Sequence, residues 1–228
     1  MALLKANGSF LKSNGKILVT PKKGYMFLTR FSNFDVATLT DYPIEGSPCV
    51  YTKGSGTFTI KKVQNGLRLD GNYSYNNSLN ASLDHDFFDA KKVIKTSKVI
   101  LKRMTPYSWS WMWHNQNAAN SYQNRGQGLF MFANNLTTDF VQKYWEYWGP
   151  IYMVFCVPIS GQYYLDQEVE VQEVWTDDGV MKWYYNGVLA GTNTNVAMDN
   201  NLNDHLKALS MGVSDSEIIC TECSIITE

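Results

Sequence analysis

Residues 180–192, VMKWYYNGVLAGT, constrain the fold more than any other stretch because they predict a β-hairpin. An Asn-Gly pair between two strand-like runs supplies the positive φ angles that a two-residue type I′ turn needs. Asn186 and Gly187 adopt those angles at little steric cost. Because side chains alternate along a strand, Trp183 is predicted to face one side of the sheet and Tyr184 the other.

The same alternation recurs along the chain. Residues 63–67 repeat the Asn-Gly signal, and residues 95–105 and 168–175 alternate between polar and apolar side chains. About twelve strand patterns, turn signals roughly every ten to fifteen residues and almost no helical periodicity are typical of a two-sheet sandwich. Charged residues make up 18% of the chain, which also favours a β-rich protein. The sequence therefore predicts one all-β, antiparallel jelly-roll sandwich over residues 25–228, preceded by a short extended segment.

Some stretches in the first two thirds of the chain depart from simple alternation. Residues 25–45 are rich in Phe, Thr and Val and predict a strand. Residues 76–91 are rich in Asn and Asp and predict an irregular loop whose Phe87 and Phe88 fill the core. Residues 140–150 fit either a short helix or an aromatic loop.

The last third of the chain carries three further predictions. The nearly continuous apolar run at residues 151–159 predicts a central strand that is covered on both faces. The Asn- and Asp-rich residues 198–205 predict a loop. Residues 206–213 and 217–227 predict the two closing strands.

Residues 4–24 form three heptads, LKANGSF, LKSNGKI and LVTPKKG, of which the first two are near copies. They predict short extended pieces joined by tight turns. A repeat this small cannot bury a core of its own, so residues 1–24 either dock on another surface or form a frayed tail, and their regularity favours docking. Such leaders resemble those of bacteriophage virion proteins. The resemblance implies an attachment or oligomerisation segment that contacts other virion proteins, and a trimeric assembly.

Composition argues against several classes of partner. The formal net charge of −1 disfavours a general electrostatic grip on nucleic acid or anionic membrane. No run of 18 apolar residues predicts a membrane span, and the first ten residues lack the apolar core of a secretory signal. Cys220 and Cys223 form a CxxC inside a strand pattern, without a second ligand pair. We therefore expect them, like Cys49 and Cys156, to be buried, reduced thiols.

Residues 168–192 resemble the strand-turn-strand-NG-strand signature of the concanavalin A-like lectin and glucanase jelly rolls, which include laminin G-like modules. Residues 209–227, LSMGVSDSEIICTECSIIT, resemble the last two strands of that superfamily, and residues 56–71 resemble its early hairpin. The match spreads over residues 30–228. The resemblance implies antiparallel sheets, a concave face and, in many members, carbohydrate binding.

The glucanase members of that superfamily carry E-x-D-x-E, or a version with one extra residue, on one strand. A retaining mechanism needs two carboxyl groups about 5–5.5 Å apart across the sugar bond. The nearest match here runs from Glu168 through Glu170 to Glu173. Strand alternation places the first two on one face and Glu173 on the other. We therefore expect a solvated strand and no hydrolytic activity.

A calcium site is the alternative interpretation of the Asn-rich loop. Asp199, Asn201 and Asn203 place oxygen-bearing side chains at alternate positions, like the start of a calcium-binding loop. Position six is Asp204 rather than Gly, and position twelve is Ser210 rather than Glu. A plain Asn-rich turn is therefore favoured over calcium, and no other cofactor is indicated.

Aromatic stretches are the main candidates for ligand contact, because sugar C–H faces stack on Trp and Tyr rings. Trp109, Trp111 and Trp113 share one face if their segment is a strand. They form either a glycan platform, with His114 and Asn115 beside it, or a core face, since Trp is highly buried on average.

A second aromatic group precedes a Gly-Pro pair. Trp145, Tyr147 and Trp148 lie in a turn-like stretch, which favours their exposure. They are candidates either for glycan contact or for a subunit interface, where aromatic residues are enriched.

Two classes of function fit these features. The first is a non-enzymatic virion structural protein, a phage fibre or a capsid or tail decoration, which displays a lectin-like jelly roll for adhesion to glycans. The second is a soluble carbohydrate-binding module or a degenerate glucanase-like protein. The NG-repeat leader, the missing signal sequence and the mismatched acids favour the first class, and with it a location in the virion.

Overall fold

The computed structural model describes the backbone of residues 10–13, 16–19, 24–74, 76–112, 126–134, 137–145, 153–157 and 165–228. Side chains are described for residues 24–74, 76–103 and 165–228, except residues 190 and 201. Strands dominate, and the ladders between them are antiparallel. The predicted all-β antiparallel sandwich is confirmed. No described helix is long and apolar enough to cross a membrane.

The strands in chain order are β1 (Phe10–Ser13), β2 (Lys16–Val19), β3 (Tyr25–Thr29), β4 (Thr40–Asp41), β5 (Cys49–Val50), β6 (Thr52–Lys53), β7 (Phe58–Val63), β8 (Gly66–Gly71), β9 (Ser78–Asn80), β10 (Lys92–Met112), β11 (Gly126–Asn134), β12 (Thr137–Trp145), β13 (Met153–Val157), β14 (Glu168–Thr176), β15 (Val180–Tyr185), β16 (Val188–Asn193) and β17 (Met211–Thr227). A helix, α1 (Asn200–Lys207), lies between β16 and β17.

Two long strands, β10 and β17, pair along their length and form the central ladder. The first half of β10 continues through β14 and β15 to β16, and the end of β17 pairs with β3. We call these six strands, in the order β16, β15, β14, β10, β17, β3, the front sheet. The second half of β10 leads to β11, β12 and β13. The first half of β17 leads to β8 and β9, which pair with β7 and β6.

The hairpin predicted at residues 180–192 is confirmed. Tyr185 pairs with Val188, and the connecting Asn186 and Gly187 have φ angles of 47° and 76°. Two hydrogen bonds join the tip to the neighbouring strand β14. Asn186 N donates to the Glu170 carbonyl over 2.9 Å, and Glu170 N donates to Asn186 Oδ1 over 2.8 Å. The Asn side chain therefore fixes the turn and also its position beside β14.

The second Asn-Gly signal also forms a hairpin, between β7 and β8, but with a different turn. Val63 pairs with Gly66, so Gln64 and Asn65 make the two-residue connection. Gly66 has a φ of 147°, and a Cβ there would lie 2.1 Å from the carbonyl oxygen of Cys220 on β17. This glycine is therefore required by the close approach of β17.

The leader contains a two-stranded sheet of its own. In it β1 pairs with β2, and Ser13 lies opposite Lys16. The prediction of short extended pieces is confirmed for these two strands, and the predicted turn at residues 14–15 lies outside the described residues.

The inner face of the front sheet forms one side of the core. Its outward and inward residues alternate as predicted for β10, where Val99 and Leu101 are buried and Lys98 is not. Burying each large apolar side chain stabilises the fold by about 1.5–3 kcal/mol. Buried apolar residues on this inner face include Val93, Val99, Val171, Trp175, Met181, Trp183 and Ile225.

Helix α1 packs on this inner face, and the loop predicted there is wrong. Asn and Asp are weak helix formers, so the sequence pattern indicated a turn. Asp199 caps the helix by accepting a hydrogen bond from Leu202 N over 2.8 Å. Leu202 and Leu206, one turn apart on the same helix face, are fully buried. Tertiary burial therefore overrides the local propensity.

Only one of the two predicted core phenylalanines in residues 76–91 is buried. Phe87 is 0% exposed, and its backbone N–H donates to Asn203 Oδ1 of α1 over 2.9 Å. Phe88 is 49% exposed, so its assignment to the core is wrong. The backbone bond to α1 fixes which of the two neighbouring rings points inward.

Residues 25–45 form two short strands, β3 and β4, rather than one continuous strand. After β3 the backbone turns at Phe31, whose φ is 56°. The Asp35 carboxylate then accepts hydrogen bonds from Ala37 N and the Thr38 hydroxyl, over 2.9 and 2.8 Å. These side-chain bonds hold residues 35–38 in a turn between the two strands.

Three strand predictions in the second half of the chain need correction. Residues 140–145 belong to strand β12, not to a helix or an aromatic loop. Strand β13 is confirmed as a strand, but it lies at one end of the described strand order rather than in the centre. Residues 211–227 are one continuous strand, β17, rather than the last two strands of the resemblance. The change of pairing partners along β17 occurs near Asp215, whose φ is 50°.

Candidate functional site

The first aromatic group lies mainly outside the described residues. Trp109 and Trp111 are at alternate positions near the end of β10, which confirms that their segment is a strand. Their side chains, and all of Trp113, His114 and Asn115, lie outside the described part of the chain. Their assignment to a glycan platform or to a core face stays a prediction.

The second aromatic group also lies mainly outside the described residues. Trp145 is the last residue of β12, which contradicts its placement in a turn. The Trp145 side chain and residues Tyr147 and Trp148 lie outside the described residues. Their role in glycan contact or in an interface stays a prediction.

The described residues form a groove of about 470 Å³ on the outer face of the front sheet. Its floor is a row of polar side chains set by the strand register. Thr96 on β10 lies opposite Gln172 on β14 and Ser224 on β17. Gln172 Nε2 donates to Thr96 Oγ1 over 3.3 Å. Thr96 is 7% exposed and Ser224 is 3% exposed, so two hydroxyl groups lie recessed beside an amide.

A charged row lies one step along the same face. Lys98 pairs across strands with Glu170 and Glu222. Its Nζ lies 3.8 Å from Glu170 Oε2 and 3.2 Å from Glu222 Oε1. Arg30 Nε contacts the other oxygen of Glu222 over 2.9 Å. One ammonium group is therefore held between two carboxylates at the side of the groove.

These contacts shift the protonation of both partners. Partial burial acts to lower the pKa of Lys98, but the hydrogen bond and charge of Glu222 outweigh it and raise that pKa above its ordinary value. Burial acts to raise the pKa of Glu222, but hydrogen bonds from Arg30 and Lys98 lower it overall. Lys98 and Glu222 therefore both stay charged at neutral pH.

Aromatic side chains lie toward both edges of this face. Tyr25 on β3 lines the groove. Tyr184 on β15 lies opposite Gln172 and is half-buried. Four strand spacings separate β15 from β3, which corresponds to roughly 19 Å between the two tyrosine-bearing strands. Ile94 and Ile226 complete the lining at one end.

The three acids of the glucanase-like stretch do not meet on one face, as predicted. Glu170 lines the groove. Glu168 is exposed and accepts a hydrogen bond from the Thr221 hydroxyl over 2.6 Å. Glu173 is buried on the inner face, where its Oε1 lies 2.8 Å from His205 Nε2. Glu173 and Glu170 therefore cannot act on opposite sides of one sugar bond.

A buried polar cluster on the inner face was not predicted from the sequence. Lys95 is fully buried, and its Nζ donates to the carbonyls of His205 and Ala208 over 2.8 and 3.1 Å. Lys95 also lies opposite Glu173 in the ladder. Burial lowers the pKa of Lys95 to about 8, against the opposing effect of Glu173. The signal in the sequence was a lysine four residues before Val99 on the same strand, because alternation places both side chains on the inner face.

This cluster fastens α1 to the front sheet. The last carbonyls of a helix lack some of their partners within the helix. Lys95 on β10 donates hydrogen bonds to two carbonyls at this end, those of His205 and Ala208. Burial lowers the pKa of His205 despite the Glu173 carboxylate beside it, so the imidazole is neutral in the folded protein at pH 7. The cluster is therefore a structural joint between helix and sheet.

The residues proposed for calcium have other contacts. Asp199 caps α1, and Asn203 contacts Phe87 N through Oδ1 and Asp86 through Nδ2, over 2.9 and 2.8 Å. The side chain of Asn201 is not described. Across the described residues, no three His, Cys, Asp or Glu side chains are grouped to hold a metal ion. The segment is a capped helix rather than a plain turn or an open loop, and calcium binding stays a prediction.

The cysteines fit the expectation of buried, reduced thiols where they are described. Cys49, Cys220 and Cys223 are buried, reduced thiols. Burial raises the pKa of the Cys49 thiol to about 11 and that of Cys220 to about 12, which disfavours the reactive thiolate. The Cys156 side chain lies outside the described residues.

No protein-family model and no curated protein sequence matches this chain. Solved structures match it over most of its length. The binding domain of botulinum neurotoxin serotype D matches with a TM-score of 0.60 and 12% identity, over 90% of this chain and 49% of that one. The serotype D ligand-binding domain in complex with N-acetylneuraminic acid has a TM-score of 0.60 and 12% identity, over 90% and 48%.

A structure of botulinum neurotoxin type C matches with a TM-score of 0.58 and 11% identity, over 89% of this chain and 47% of that one. Cell entry of that toxin depends on interaction with two ganglioside molecules. The chain thus spans about half the length of these structures. Their likeness shows the fold, a β-rich sandwich found in receptor-binding domains. The narrower concanavalin A-like and phage assignments stay predictions.

Proposed function

We propose that this chain is a non-catalytic carbohydrate-binding sandwich and that the front-sheet groove is its site. The observation that carries the proposal is the recessed row of Thr96, Gln172 and Ser224 in a groove of about 470 Å³. That volume falls within the usual range for small-ligand sites.

The row has the donors and acceptors that sugar hydroxyls need. Each hydroxyl group of Thr96 and Ser224 can both donate and accept, and the Gln172 amide offers donors and an acceptor. The strand ladders fix their spacing before a ligand arrives, which reduces the entropy lost on binding. Tyr25 and Tyr184 supply ring faces toward the edges for sugar C–H groups.

The matching structures support this proposal at the level of ligand class. One contains N-acetylneuraminic acid, and another belongs to a toxin whose cell entry depends on gangliosides. The fold is therefore compatible with proteins that contact glycans. The position of the site on this chain rests on the groove itself.

We expect no glycoside hydrolysis in the groove. Retention or inversion requires two carboxyl groups, one of which protonates the leaving oxygen. Glu170 and Glu222 both line the groove, whereas Glu173 lies on the opposite face beside His205. Hydrogen bonds from Arg30 and Lys98 lower the pKa of Glu222, which makes this carboxyl a poor general acid. We expect oligosaccharides to be recovered intact after long incubation with the protein. Any release of reducing ends by the wild type should be no faster than release by the Glu170→Gln variant.

The test is a glycan-binding screen on three proteins: the wild type, Gln172→Ala and Gln64→Ala. Gln172 lies in the groove, whereas Gln64 is exposed in the β7–β8 turn and controls for the same substitution. Loss of one or two hydrogen bonds to the ligand should weaken binding by roughly 10-fold in Gln172→Ala. Gln64→Ala should match the wild type. A screen without any bound glycan, or equal binding by both variants, would contradict the proposal.

The finer role that we propose is attachment of this domain to a virion through residues 1–24. The NG-repeat leader supports it, together with the separate β1–β2 ladder. Deletion of residues 1–24 tests it: we expect a folded protein of lower oligomeric state that no longer associates with its assembly. An unchanged mass in solution and unchanged association would count against the role and against the trimer.

A further inference from the structure

We infer that the groove selects uncharged glycans and rejects carboxylate-bearing ones such as sialylated sugars. This inference rests on the proposed function, because it assigns the ligand class of the same site. It comes from the charges that line the groove, and it distinguishes this chain from the structure that holds N-acetylneuraminic acid.

The cation in the groove is already matched by carboxylates of the protein. Lys98 Nζ lies 3.2 Å from Glu222 and 3.8 Å from Glu170. Arg30, which lies beyond the lining, is engaged with the same Glu222 over 2.9 Å. A ligand carboxylate could bind Lys98 only by displacing one of these carboxylates or by lying next to it.

The pairing of the charges around the groove points the same way. One lysine and three glutamates line the groove, and Arg30 and Lys92 pair with Glu222 and Glu228 from outside the lining. Glu228 lies at the other end from Glu170 and Glu222, and its contact with Lys92 Nζ spans 3.0 Å. Each of these three cations is therefore already paired with a carboxylate of the protein. An approaching anion meets the like charge of that carboxylate at close range, where the two repel in a partly desolvated site.

The same carboxylates favour hydroxyl-rich, uncharged ligands. An ionised carboxylate accepts hydrogen bonds only, and charge-assisted bonds to its oxygens are stronger than neutral ones. Sugar hydroxyls can donate to Glu170 and Glu222 while Thr96, Gln172 and Ser224 contact the rest of the ring. A neutral sugar thus gains bonds from the groups that repel an anionic one.

The experiment measures binding of two sets of probes by titration calorimetry. One set contains neutral oligosaccharides of glucose, galactose and N-acetylglucosamine, and the other contains sialyllactose and oligogalacturonate. We expect the tightest neutral probe to bind at least about 10-fold more tightly than any acidic probe at low salt. We expect the gap to narrow as ionic strength rises and screens the repulsion.

Variants connect the preference to the groove. The double variant Glu170→Gln, Glu222→Gln removes two charges and should reduce the gap by roughly 10-fold. Glu168→Gln makes the same change on the same strand at an exposed position that does not line the groove, and it should leave the gap unchanged. Folding of each variant is checked by its urea midpoint.

The outcomes separate this inference from the function on which it rests. Tighter binding of sialyllactose than of any neutral probe, lost in Gln172→Ala, would overturn the charge selectivity and leave carbohydrate binding standing. Binding of neither probe set would overturn the proposed function itself. An equal change in Glu168→Gln and in the double variant would also overturn the inference, because the selectivity would not arise in the groove.

Discussion

Replacing Lys95 by Met should make the stability of the protein respond differently to alkaline pH. Lys95 is fully buried, and its Nζ contacts the carbonyls of His205 and Ala208. Burial lowers its pKa to about 8 from an ordinary 10.5. The folded protein therefore releases this proton at lower pH than the unfolded chain does.

The sign and size follow from that difference. Between pH 8 and 10.5 the unfolded state binds more protons at Lys95, so the free energy of unfolding rises with pH. This contribution is complete above pH 10.5 and is lost as the pH falls through 8. A shift of 2.5 pKa units corresponds to about 3 kcal/mol. The unfolding free energy of the wild type minus that of Lys95→Met should therefore increase by about 3 kcal/mol from pH 8 to pH 10.5.

The assay is urea denaturation of both proteins at half-unit steps from pH 7.5 to 10.5. Taking the difference removes the titration of the buried Tyr and Cys side chains, which both proteins share. Lys98→Met is a matched control on the same strand. The pKa of Lys98 is raised above its ordinary 10.5 by Glu222 against the effect of burial, so the difference between the wild type and Lys98→Met should stay nearly constant over this range and shrink only above pH 10.5. A flat or falling difference for Lys95→Met would refute the assigned role of burial.

Three further changes test the packing. Phe87→Ala should destabilise the fold by about 3–5 kcal/mol in urea titrations, whereas Phe88→Ala, at an exposed ring, should cost less than about 1 kcal/mol; similar losses would contradict the inward placement of one ring. Gly66→Ala should be far more destabilising than Gly187→Ala, because both have positive φ but only the first Cβ would strike a β17 carbonyl; an equal thermal shift in the two variants would count against that contact. The pKa of His205 is lowered by burial, so its contribution to stability, present above its ordinary pKa of 6.5, should be lost as the pH falls below it; His205→Gln should flatten this loss between pH 7 and 5, and a parallel pH profile would rule it out.

The strands were predictable where the sequence carries a local signal. Asn186 and Gly187 specify a turn whatever surrounds them, and the alternation over residues 168–175 correctly divides Glu170 from Glu173. Helix α1 was not predictable in this way, because its Asn-rich sequence has weak intrinsic helicity. The burial of Leu202 and Leu206 and the cap by Asp199 stabilise it as a helix.

The candidate site could be predicted only in part, for a related reason. The sequence indicates which side chains of one strand share a face, but not which rows meet across strands. Thr96, Gln172 and Ser224 are far apart along the chain and become neighbours only through the ladders of β10 with β14 and β17. Pairing between distant strands depends on the whole fold, and a β-bulge between residues 98 and 99 shifts the β10–β17 register further. The sequence therefore predicted the aromatic runs as the candidate site, because their signal is local.

Chemical-shift mapping of the glycan complex shows whether the ligand lies in the front-sheet groove. The tightest-binding neutral oligosaccharide of the panel is titrated into isotope-labelled protein, and the amide signals are followed by NMR. We predict that the largest chemical-shift changes occur at the backbone amides of Thr96, Gln172 and Ser224 and at the Gln172 side-chain amide. Largest shifts outside the front sheet, with these four signals unmoved at saturation, would contradict it.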